Sequence, residues 1–412
     1  MNVMKTKGAF SVLGIVLVLT LALLALTPGV PSSQTTGKPV VIGNLGVFTG
    51  RDADTNPWLL RGAELAINEF GGKVAGREIK LASEDSASDP TVAADKTKKL
   101  LEVDKADAVI GPLPAAAAFP VATLLKPLGI PHMGIMDFPA ALTAMGDHVF
   151  AHSGNQRGTG YFVGTYAYDV MGYRTATVIH DDIIFAEEYT QGAMDGFVSR
   201  GGKIIQRQRT PMNTVDYGPF LTAMKQADCC LFWFIPFHAV QFINQFSQYG
   251  FKMSMVQGGV NVLGLQNLME LKDKALNIIS CNPYDAYIKG PEVKNWVDRW
   301  VKLNANRAEK DGRYPYYSEG AAMYAATSIL LQAIDLAKGD TTPAAFRKAL
   351  HTGKFKTPWG QVSFNNGQVG IGNTYILKVV KEGNNYTRTD VYKYENVLRN
   401  EPAKDKDAAP KM

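Results

Sequence analysis

Two histidines, His148 and His152 in the stretch HVFAH, have the spacing of a pair of metal ligands on a helix. On a helix, residues four positions apart share a face, and the pair could bind one metal ion. The stretch has the pattern of a strand, however, on which the two residues would stand about 13 Å apart at roughly 3.3 Å per residue. That separation is too long for a shared ion, so we predict no metal site.

Other enzyme patterns are weak. The sequence has no Gly-x-Ser-x-Gly nucleophile elbow and no phosphate loop of the Walker type, and GTGYFVG has one residue too many for the dinucleotide fingerprint. The acidic pairs Asp181-Asp182 and Glu187-Glu188 are adjacent residues that point apart, which indicates solvated or capping groups. We therefore predict a protein that is not an enzyme and that needs no cofactor.

The ten residues GPLPAAAAFP, residues 111–120, follow the apolar run ADAVI and indicate where a ligand could bind. Open α/β sheets bind ligands at the carboxyl ends of their strands. This stretch offers alanines and no hydroxyl group at that place. Backbone N–H groups of Ala115 and Ala116, near the predicted helix start, remain available for a carboxylate.

The elements that must position these residues alternate along the chain. Apolar strands such as PVVIGNLGVF and REIKLASED are each followed by a segment of helical spacing, and Asp89 before Pro90 predicts a helix start. The alternation restarts after HVFAHSG and continues to NIISCNPY. Two long helical segments and a strand-rich end with a hairpin around Asn366-Gly367 follow. We predict an α/β protein with two doubly wound parallel sheets.

The three cysteines do not form the pattern of a disulfide framework. Cys229 and Cys230 are neighbours in the apolar strand CCLFWFI, so their side chains should lie on opposite faces of the sheet. We interpret them as small buried thiols. A disulfide from Cys281 to one of them is the alternative.

Composition and charge restrict the class of protein further. The 412 residues are 46% hydrophobic and 20% charged, which is typical of a globular chain of about two domains. Lys5 and Lys7 precede an apolar stretch, which predicts a signal peptide over residues 1–30 and export to the periplasm; an uncleaved membrane anchor is the alternative. Without these lysines the net charge of +5 falls to about +3, with no basic patch for nucleic acid. The polar residues 399–412 predict a disordered tail.

Several stretches occur in an order and at a spacing that resemble a known family. They are VVIGNLGVFTG, the run from RGAELAINEF to KTKKLL, AVIGPL, LGIPHM, GRYPYYSEGAAMYAATSILLQAI and FKTPWGQVSFNNGQ. Together they resemble the periplasmic solute-binding proteins of branched-chain amino acid (leucine/isoleucine/valine-type) ABC transporters. The resemblance implies a type I periplasmic binding fold, with two lobes joined by three chain crossings that close on a solute. It places one lobe at 38–153 with 283–356, and the other at 154–282 with 357–398.

The resemblance also implies where a ligand would bind, and this chain departs from the family there. Family members that bind amino acids have hydroxyl residues after the Gly-Pro turn, where this chain has alanines, and Asp137 and Phe138 replace a second hydroxyl-bearing turn. Asn261 lies in the segment that usually supplies an acidic residue for the ligand's ammonium. Phe185 falls where a stacking tyrosine is common. Our candidate ligand-binding residues are Trp58, Ala115, Ala116, Asp137, Phe138, Phe185, Phe237, Asn261 and Tyr284.

This cleft lacks both the hydroxyl residues and the acidic residue with which the family binds an amino acid. It therefore predicts a less polar solute, because an unpaired buried charge is costly. We expect an aromatic or branched acid, or an amide, held between aromatic walls. Each candidate also has a structural interpretation: Trp58 as a core residue, Asp137 as a turn former and Asn261 as a loop residue. We predict a monomer that captures a small solute and delivers it to a membrane permease. The alternative is the ligand-binding sensor domain of a membrane-anchored receptor.

Overall fold

The computed structural model describes residues 37–136, 138–259, 263–307 and 317–399. The chain divides into two units, Met1–Lys38 and Pro39–Met412, and every strand and helix given below lies in the second unit. The predicted signal peptide, Asp137 and Asn261 lie outside the described residues. Within those residues, no helix is both long and apolar enough to cross a membrane.

The first sheet has six strands in the order β2-β3-β1-β4-β5-β6. All its pairings are parallel except that of β2 with β3. Its strands are β1 (Val40–Gly46), β2 (Lys73–Val74), β3 (Arg77–Asp85), β4 (Ala108–Ile110), β5 (His132–Met133) and β6 (Val149–Phe150). The helices between them are α1 (Asn56–Glu69), α2 (Pro90–Glu102), α3 (Ala115–Leu125) and α4 (Ala140–Thr143).

Both faces of the first sheet are covered, as its apolar strands predict. Every residue of β1 is buried. Val40 and Ile42 pack in one hydrophobic cluster with α1, whereas Val41 and Leu45 pack in another with α2 and α3. Successive residues of a strand point to opposite faces, so one apolar strand serves two helical layers.

Local sequence explains two of the turns at the edge of this sheet. The Asp89 carboxylate accepts hydrogen bonds from the backbone N–H groups of Thr91 (2.8 Å) and Val92 (3.0 Å), which confirms the predicted start of α2. Gly111 follows β4 with a φ of +85°, and a Cβ there would lie 2.7 Å from the Leu45 carbonyl oxygen. Only glycine fits this turn, which leads into α3.

The second sheet has the order β12-β13-β14-β11-β10-β9-β7-β8, and β15 pairs with β14. Strands β7 to β11 pair in parallel, and β12 to β15 add an antiparallel extension. The parallel strands are β7 (Thr175–Asp181), β8 (Lys203–Thr210), β9 (Cys229–Trp233), β10 (Ser254–Gln257) and β11 (Ile279–Asn282). Their helices are α5 (Gln156–Asp169), α6 (Ile184–Ser199), α7 (Gly218–Thr222), α8 (Pro236–Gln248) and α9 (Leu265–Leu271).

The chain passes between the two sheets three times, as the fold class predicts. It leaves the first sheet after β6 and returns after β11 to form α10 (Pro291–Leu303), α11 (Tyr317–Leu336) and α12 (Pro343–Thr352). These helices share a hydrophobic cluster with α1, and a Cβ on Gly62 would meet the Gly320 carbonyl oxygen of α11 at 2.3 Å. The chain then enters β12 (Phe355–Thr357), β13 (Gly360–Phe364), β14 (Gly370–Glu382) and β15 (Asn385–Leu398).

The carboxyl-terminal strands differ in part from the sequence prediction. The hairpin around Asn366-Gly367 is confirmed, because Phe364 of β13 pairs with Gly370 of β14. The segment NTYILKVVKEG, predicted as a partner of this hairpin, instead continues β14. Its partner is β15, a strand that the sequence analysis missed together with β10 and α12.

Arg399, the first residue of the predicted disordered tail, is an ordered part of the fold. Its side chain is buried, and its Nη1 donates a hydrogen bond to the His152 carbonyl oxygen (2.9 Å). Its guanidinium also lies 5.4 Å from the centre of the Tyr284 ring. Residues 400–412 lie outside the described residues, and for them disorder stays a prediction.

The cysteines and histidines have structural partners. All three cysteines are buried thiols, and Cys229 and Cys230 belong to different hydrophobic clusters on opposite faces of β9, as predicted. His148 Nε2 lies 2.8 Å from the Ala122 carbonyl oxygen, and His152 Nε2 lies 3.1 Å from that of Ile135. Burial lowers the pKa of His152 to about 3. In the part of the chain described, no group of His, Cys, Asp and Glu side chains could hold a metal ion.

Candidate functional site

A cavity of about 590 Å³ lies at the carboxyl ends of strands from both sheets, the usual binding edge of open α/β folds. The loops after β4 and β5 border it from the first sheet, and the loops after β7 and β9 border it from the second. Its lining includes Leu113, Pro114, Met136, Phe185, Tyr189, Trp233, Phe237, Glu319 and Arg388.

Three aromatic rings of the second sheet and its helix α6 stack at this cavity. The Trp233 ring lies 5.3 Å from the Tyr189 ring with an interplanar angle of 20°, and 6.4 Å from the Phe185 ring at 28°. Phe185 and Tyr189 are four positions apart on α6 and therefore share a face, while Trp233 is the last residue of β9. Met136 of the first sheet packs against the same cluster. We call Phe185, Tyr189 and Trp233 the aromatic stack.

The turn from β9 into α8 is fixed by a buried acid. Asp181 Oδ2 accepts a hydrogen bond from the backbone N–H of Ile235 (2.9 Å), and Asp181 Oδ1 lies 2.8 Å from His238 Nδ1. Burial raises the pKa of Asp181, against the opposing effect of these hydrogen bonds. Because Phe237 lies between the two partners in sequence, this pair of contacts positions its ring at the cavity.

One donor of the aromatic stack has no protein partner within the described ranges. The Trp233 side chain is only 5% exposed, and its Nε1–H makes no hydrogen bond there. Buried indole N–H groups usually find an acceptor. The aromatic stack therefore contains a buried donor that has no acceptor among the described residues.

A buried arginine marks a polar end of the cavity. Arg388 of β15 is 5% exposed; its Nη1 donates to the Leu263 carbonyl oxygen (2.6 Å), and its Nη2 lies 3.3 Å from Asp285 Oδ2. The guanidinium carbon lies 5.0 Å from the centre of the Tyr287 ring. The arginine thus joins the loop before α9 to the chain segment that follows β11.

A carboxyl group borders the cavity near the start of α11. Glu319 lies in the first turn of that helix and accepts a hydrogen bond from Ser318 Oγ at 3.0 Å. Burial raises the pKa of Glu319, and the opposing effects of hydrogen bonding and of the Arg388 charge are smaller. Its neutral form is thus favoured more than that of an ordinary glutamate.

Two of the charged residues that border the cavity neutralise each other. Arg51 Nη2 lies 3.0 Å from Asp52 Oδ2, and the arginine side chain is 58% exposed. Asp52 also accepts a hydrogen bond from Ser88 Oγ (3.3 Å). An exposed pair of this kind attracts neither sign of solute strongly.

Two of the predicted site residues, Phe185 and Phe237, border the cavity. Phe237 is 62% exposed, and Phe185 is partly buried in the aromatic stack. Ala115 and Ala116 open α3 directly after the wall residues Leu113 and Pro114, but they do not line the cavity themselves. Their proposed contact with a ligand stays a prediction.

The structure does not bring Trp58, Phe138 and Tyr284 to the cavity. The Trp58 ring packs 6.4 Å from Trp300, and the Phe138 ring lies 5.4 Å from His132. Tyr284 is 1% exposed, and its hydroxyl lies 3.1 Å from His152 Nδ1 where the chain passes between the sheets. In this conformation their rings fill hydrophobic cores, because helix and strand packing turns them away from the cleft.

Sequence reasoning missed most of the residues that line the cavity, among them Tyr189, Trp233, Glu319 and Arg388. The helical spacing of Tyr189 from Phe185 is a pattern that could have identified it. Trp233 lies in the apolar run CCLFWFI, which has the pattern of a core strand. Arg388 lies in β15, a strand that was not predicted.

Comparisons with known proteins agree with this architecture. The sequence pattern of the family described as periplasmic binding protein matches residues 39–384. An amino acid binding protein of Pseudomonas aeruginosa is 31% identical over 160 residues, which are 38% of this chain and 41% of that protein. The chain thus spans about two fifths of that relative's length. Leu/Ile/Val-binding protein homolog 6 of Brucella abortus is 22% identical over 86% of this chain and 92% of its own.

Solved structures show the same fold. An ABC transporter substrate-binding protein from Sphaerobacter thermophilus superposes with a TM-score of 0.81 and 24% identity, over 88% of this chain and 100% of that one. A solute-binding protein of an ABC transporter from Rhodopseudomonas palustris, in complex with 3,4-dihydroxybenzoic acid, gives a TM-score of 0.77 and 20% identity, over 88% and 98%. Since the family pattern covers most of the sequence and the fold agrees, the chain belongs to the periplasmic binding protein family.

Proposed function

We propose that this protein is the extracytoplasmic solute-binding component of an ABC transporter and that its solute is a small aromatic acid or amide. The observation that carries the proposal is the aromatic stack at the cavity between the two sheets. Flat rings offer a large apolar contact area at stacking distance, which suits a planar solute. The Rhodopseudomonas palustris relative of the same fold, whose complex holds 3,4-dihydroxybenzoic acid, supports this class of solute.

A free aromatic amino acid such as phenylalanine is the second candidate, because Glu319 could meet its ammonium. The names of the Pseudomonas and Brucella relatives are consistent with an amino acid. We favour the acid or amide because burial raises the pKa of Glu319 and thereby weakens it as a partner for a cation. A branched-chain amino acid would leave the aromatic stack without a flat partner.

Export, lobe division and partners belong to the same proposal. Residues 1–30 act as a signal peptide for the periplasm, and the protein works as a monomer that delivers its solute to a membrane permease. The lobes are 38–153 with 283–356, and 154–282 with 357–398. The three chain passages between the sheets support this division, because a hinge of three segments permits closure around a solute.

A panel of small solutes tests the proposal. We expect benzoate, 4-hydroxybenzoate or benzamide to raise the melting temperature of the purified protein, because a ligand at 100 times its Kd stabilises the folded state by about 2.7 kcal/mol. Leucine and isovalerate should give little shift. Titration calorimetry with the best solute then provides the Kd.

The same panel can contradict the proposal. A strong shift with leucine and none with any aromatic compound would exclude an aromatic solute. A shift with phenylalanine that exceeds those of benzoate and benzamide by a wide margin would favour the second candidate.

A further inference from the structure

The guanidinium of Arg388 is buried, yet its hydrogen bonding is incomplete in the described part of the chain. Nη1 binds the Leu263 carbonyl oxygen and Nη2 pairs with Asp285, whereas the buried Nε–H has no acceptor among those residues. Buried charged donors without an acceptor are unfavourable. An oxygen atom supplied by a solute in the adjoining cavity would remove that cost.

The surroundings hold the guanidinium in one place. Asp285 is itself fixed, because its Oδ1 accepts a hydrogen bond from the backbone N–H of Tyr287 at 3.0 Å. The Tyr287 ring lies under the guanidinium at 5.0 Å. A planar guanidinium can donate to two carboxylates at once, so pairing with Asp285 leaves capacity for a second anion.

The electrostatics at this end of the cavity favour an anion over a cation. Ser318 and Glu319 border the cavity in the first turn of α11, a helix of 20 residues whose N-terminus carries a partial positive charge. Burial raises the pKa of Glu319, which reduces its repulsion of a second carboxylate. Asp285 already forms an ion pair with Arg388.

We propose that Arg388 anchors the carboxylate of the solute and thereby selects acids over their neutral amides. This inference rests on the proposed function and narrows it, since the aromatic stack alone would accept either compound. Arg388 is a specificity-determining residue in this role, and the aromatic stack supplies the contact area.

Benzoate and benzamide are the probes that distinguish a carboxylate anchored by Arg388 from binding through the aromatic stack alone, because they share a ring and differ in charge. Calorimetric titration of the wild-type protein should give a Kd for benzoate that is between about 10- and 150-fold lower than that for benzamide, the range expected for a hydrogen bond to a charged group. Benzylamine should bind more weakly than both.

Substitution of Arg388 alone would leave Asp285 buried without its partner and could prevent folding. The test variant is therefore Arg388→Gln together with Asp285→Asn, which removes both charges. We expect it to lose the preference for benzoate and to retain binding of benzamide. The matched control is Arg174→Gln, which changes an arginine that also lies over a tyrosine ring (Tyr168, 4.0 Å) but does not line the cavity.

Equal affinity of the wild-type protein for benzoate and benzamide would contradict the role of Arg388 as the carboxylate anchor. It would leave the proposal of an aromatic solute unaffected. Tighter binding of benzylamine would also contradict the role of Arg388 and would point to Glu319 as a partner for a cation. If neither benzoate nor benzamide binds, both the anchor and the aromatic solute are wrong. An unchanged preference for benzoate in the folded double variant would assign the carboxylate to other donors.

Discussion

The apolar part of the first-sheet wall of the cavity presents aliphatic and sulfur-containing side chains, whereas that of the second-sheet wall also presents aromatic rings. Leu113, Pro114 and Met136 form the former, and the aromatic stack with Phe237 forms the latter. Stacked rings add a directional contribution to the contact area that aliphatic groups lack. We therefore expect the second sheet to supply most of the affinity for a solute, while the first sheet completes its enclosure.

Removal of the outermost ring of the aromatic stack should have the largest effect. We expect Phe185→Ala to weaken benzoate binding by about 30-fold, since a buried aromatic contact contributes about 2 kcal/mol. Calorimetric titration measures the change. Phe251→Ala is the control, because it removes a partly buried ring of the same half of the molecule that does not line the cavity. Equal losses in the two variants would show that the effect is general destabilisation.

The indole donor of Trp233 should contribute a smaller, separable amount. Trp233→Phe keeps a ring in the aromatic stack and removes the Nε1–H. If a solute oxygen accepts that hydrogen bond, benzoate affinity should fall by about 5- to 10-fold, the value of one neutral hydrogen bond. Unchanged affinity would mean that the donor faces no solute oxygen.

The first-sheet wall should respond weakly to truncation. We expect Leu113→Ala to lower benzoate affinity by about fourfold. The substitution removes three carbon atoms, but Leu113 is only partly buried, so we expect a loss equal to that of one fully buried methylene, about 0.8 kcal/mol. The comparison of this variant with Phe185→Ala by calorimetry measures the asymmetry of the two walls directly. Similar losses would show that the walls contribute equally.

The pH dependence of benzoate binding should show the effect of the protonation state of Glu319. Because burial raises its pKa in the folded protein, the folded state holds this proton more tightly than the unfolded state does. The resulting stabilisation is present at low pH and is lost as the pH rises through the folded-state pKa. Binding of a carboxylate favours the protonated form further, so affinity for benzoate should fall by about threefold as the pH rises across that pKa.

The variant Glu319→Gln checks this effect, because it is neutral at every pH. As the pH rises from the ordinary glutamate pKa of 4.5, its affinity for benzoate should vary less than that of the wild-type protein, and its melting temperature should decline less over the same range. If Glu319→Gln has the same pH profile as the wild-type protein, the pH dependence of benzoate affinity comes from another group.

Much of the fold could be predicted from local sequence, and the site only in part. The periodic pattern located most strands and helices, the Asp89 cap and the Asn366-Gly367 hairpin, and it placed Cys229 and Cys230 on opposite faces. At the site, Phe185 and Phe237 were expected near the cavity and border it. Strand β15 was missed because its polar and apolar residues alternate imperfectly, and with it the sequence analysis missed Arg388.

The sequence by itself determined the alternation of strands and helices, because burial repeats every two residues in a strand and every 3.6 in a helix. Only the tertiary structure decided which rings face the cavity. Trp58 and Tyr284 entered the cores through packing against Trp300 and His152, whereas Trp233 joined Phe185 from a different element. Such contacts join residues far apart in the chain, so no local pattern records them.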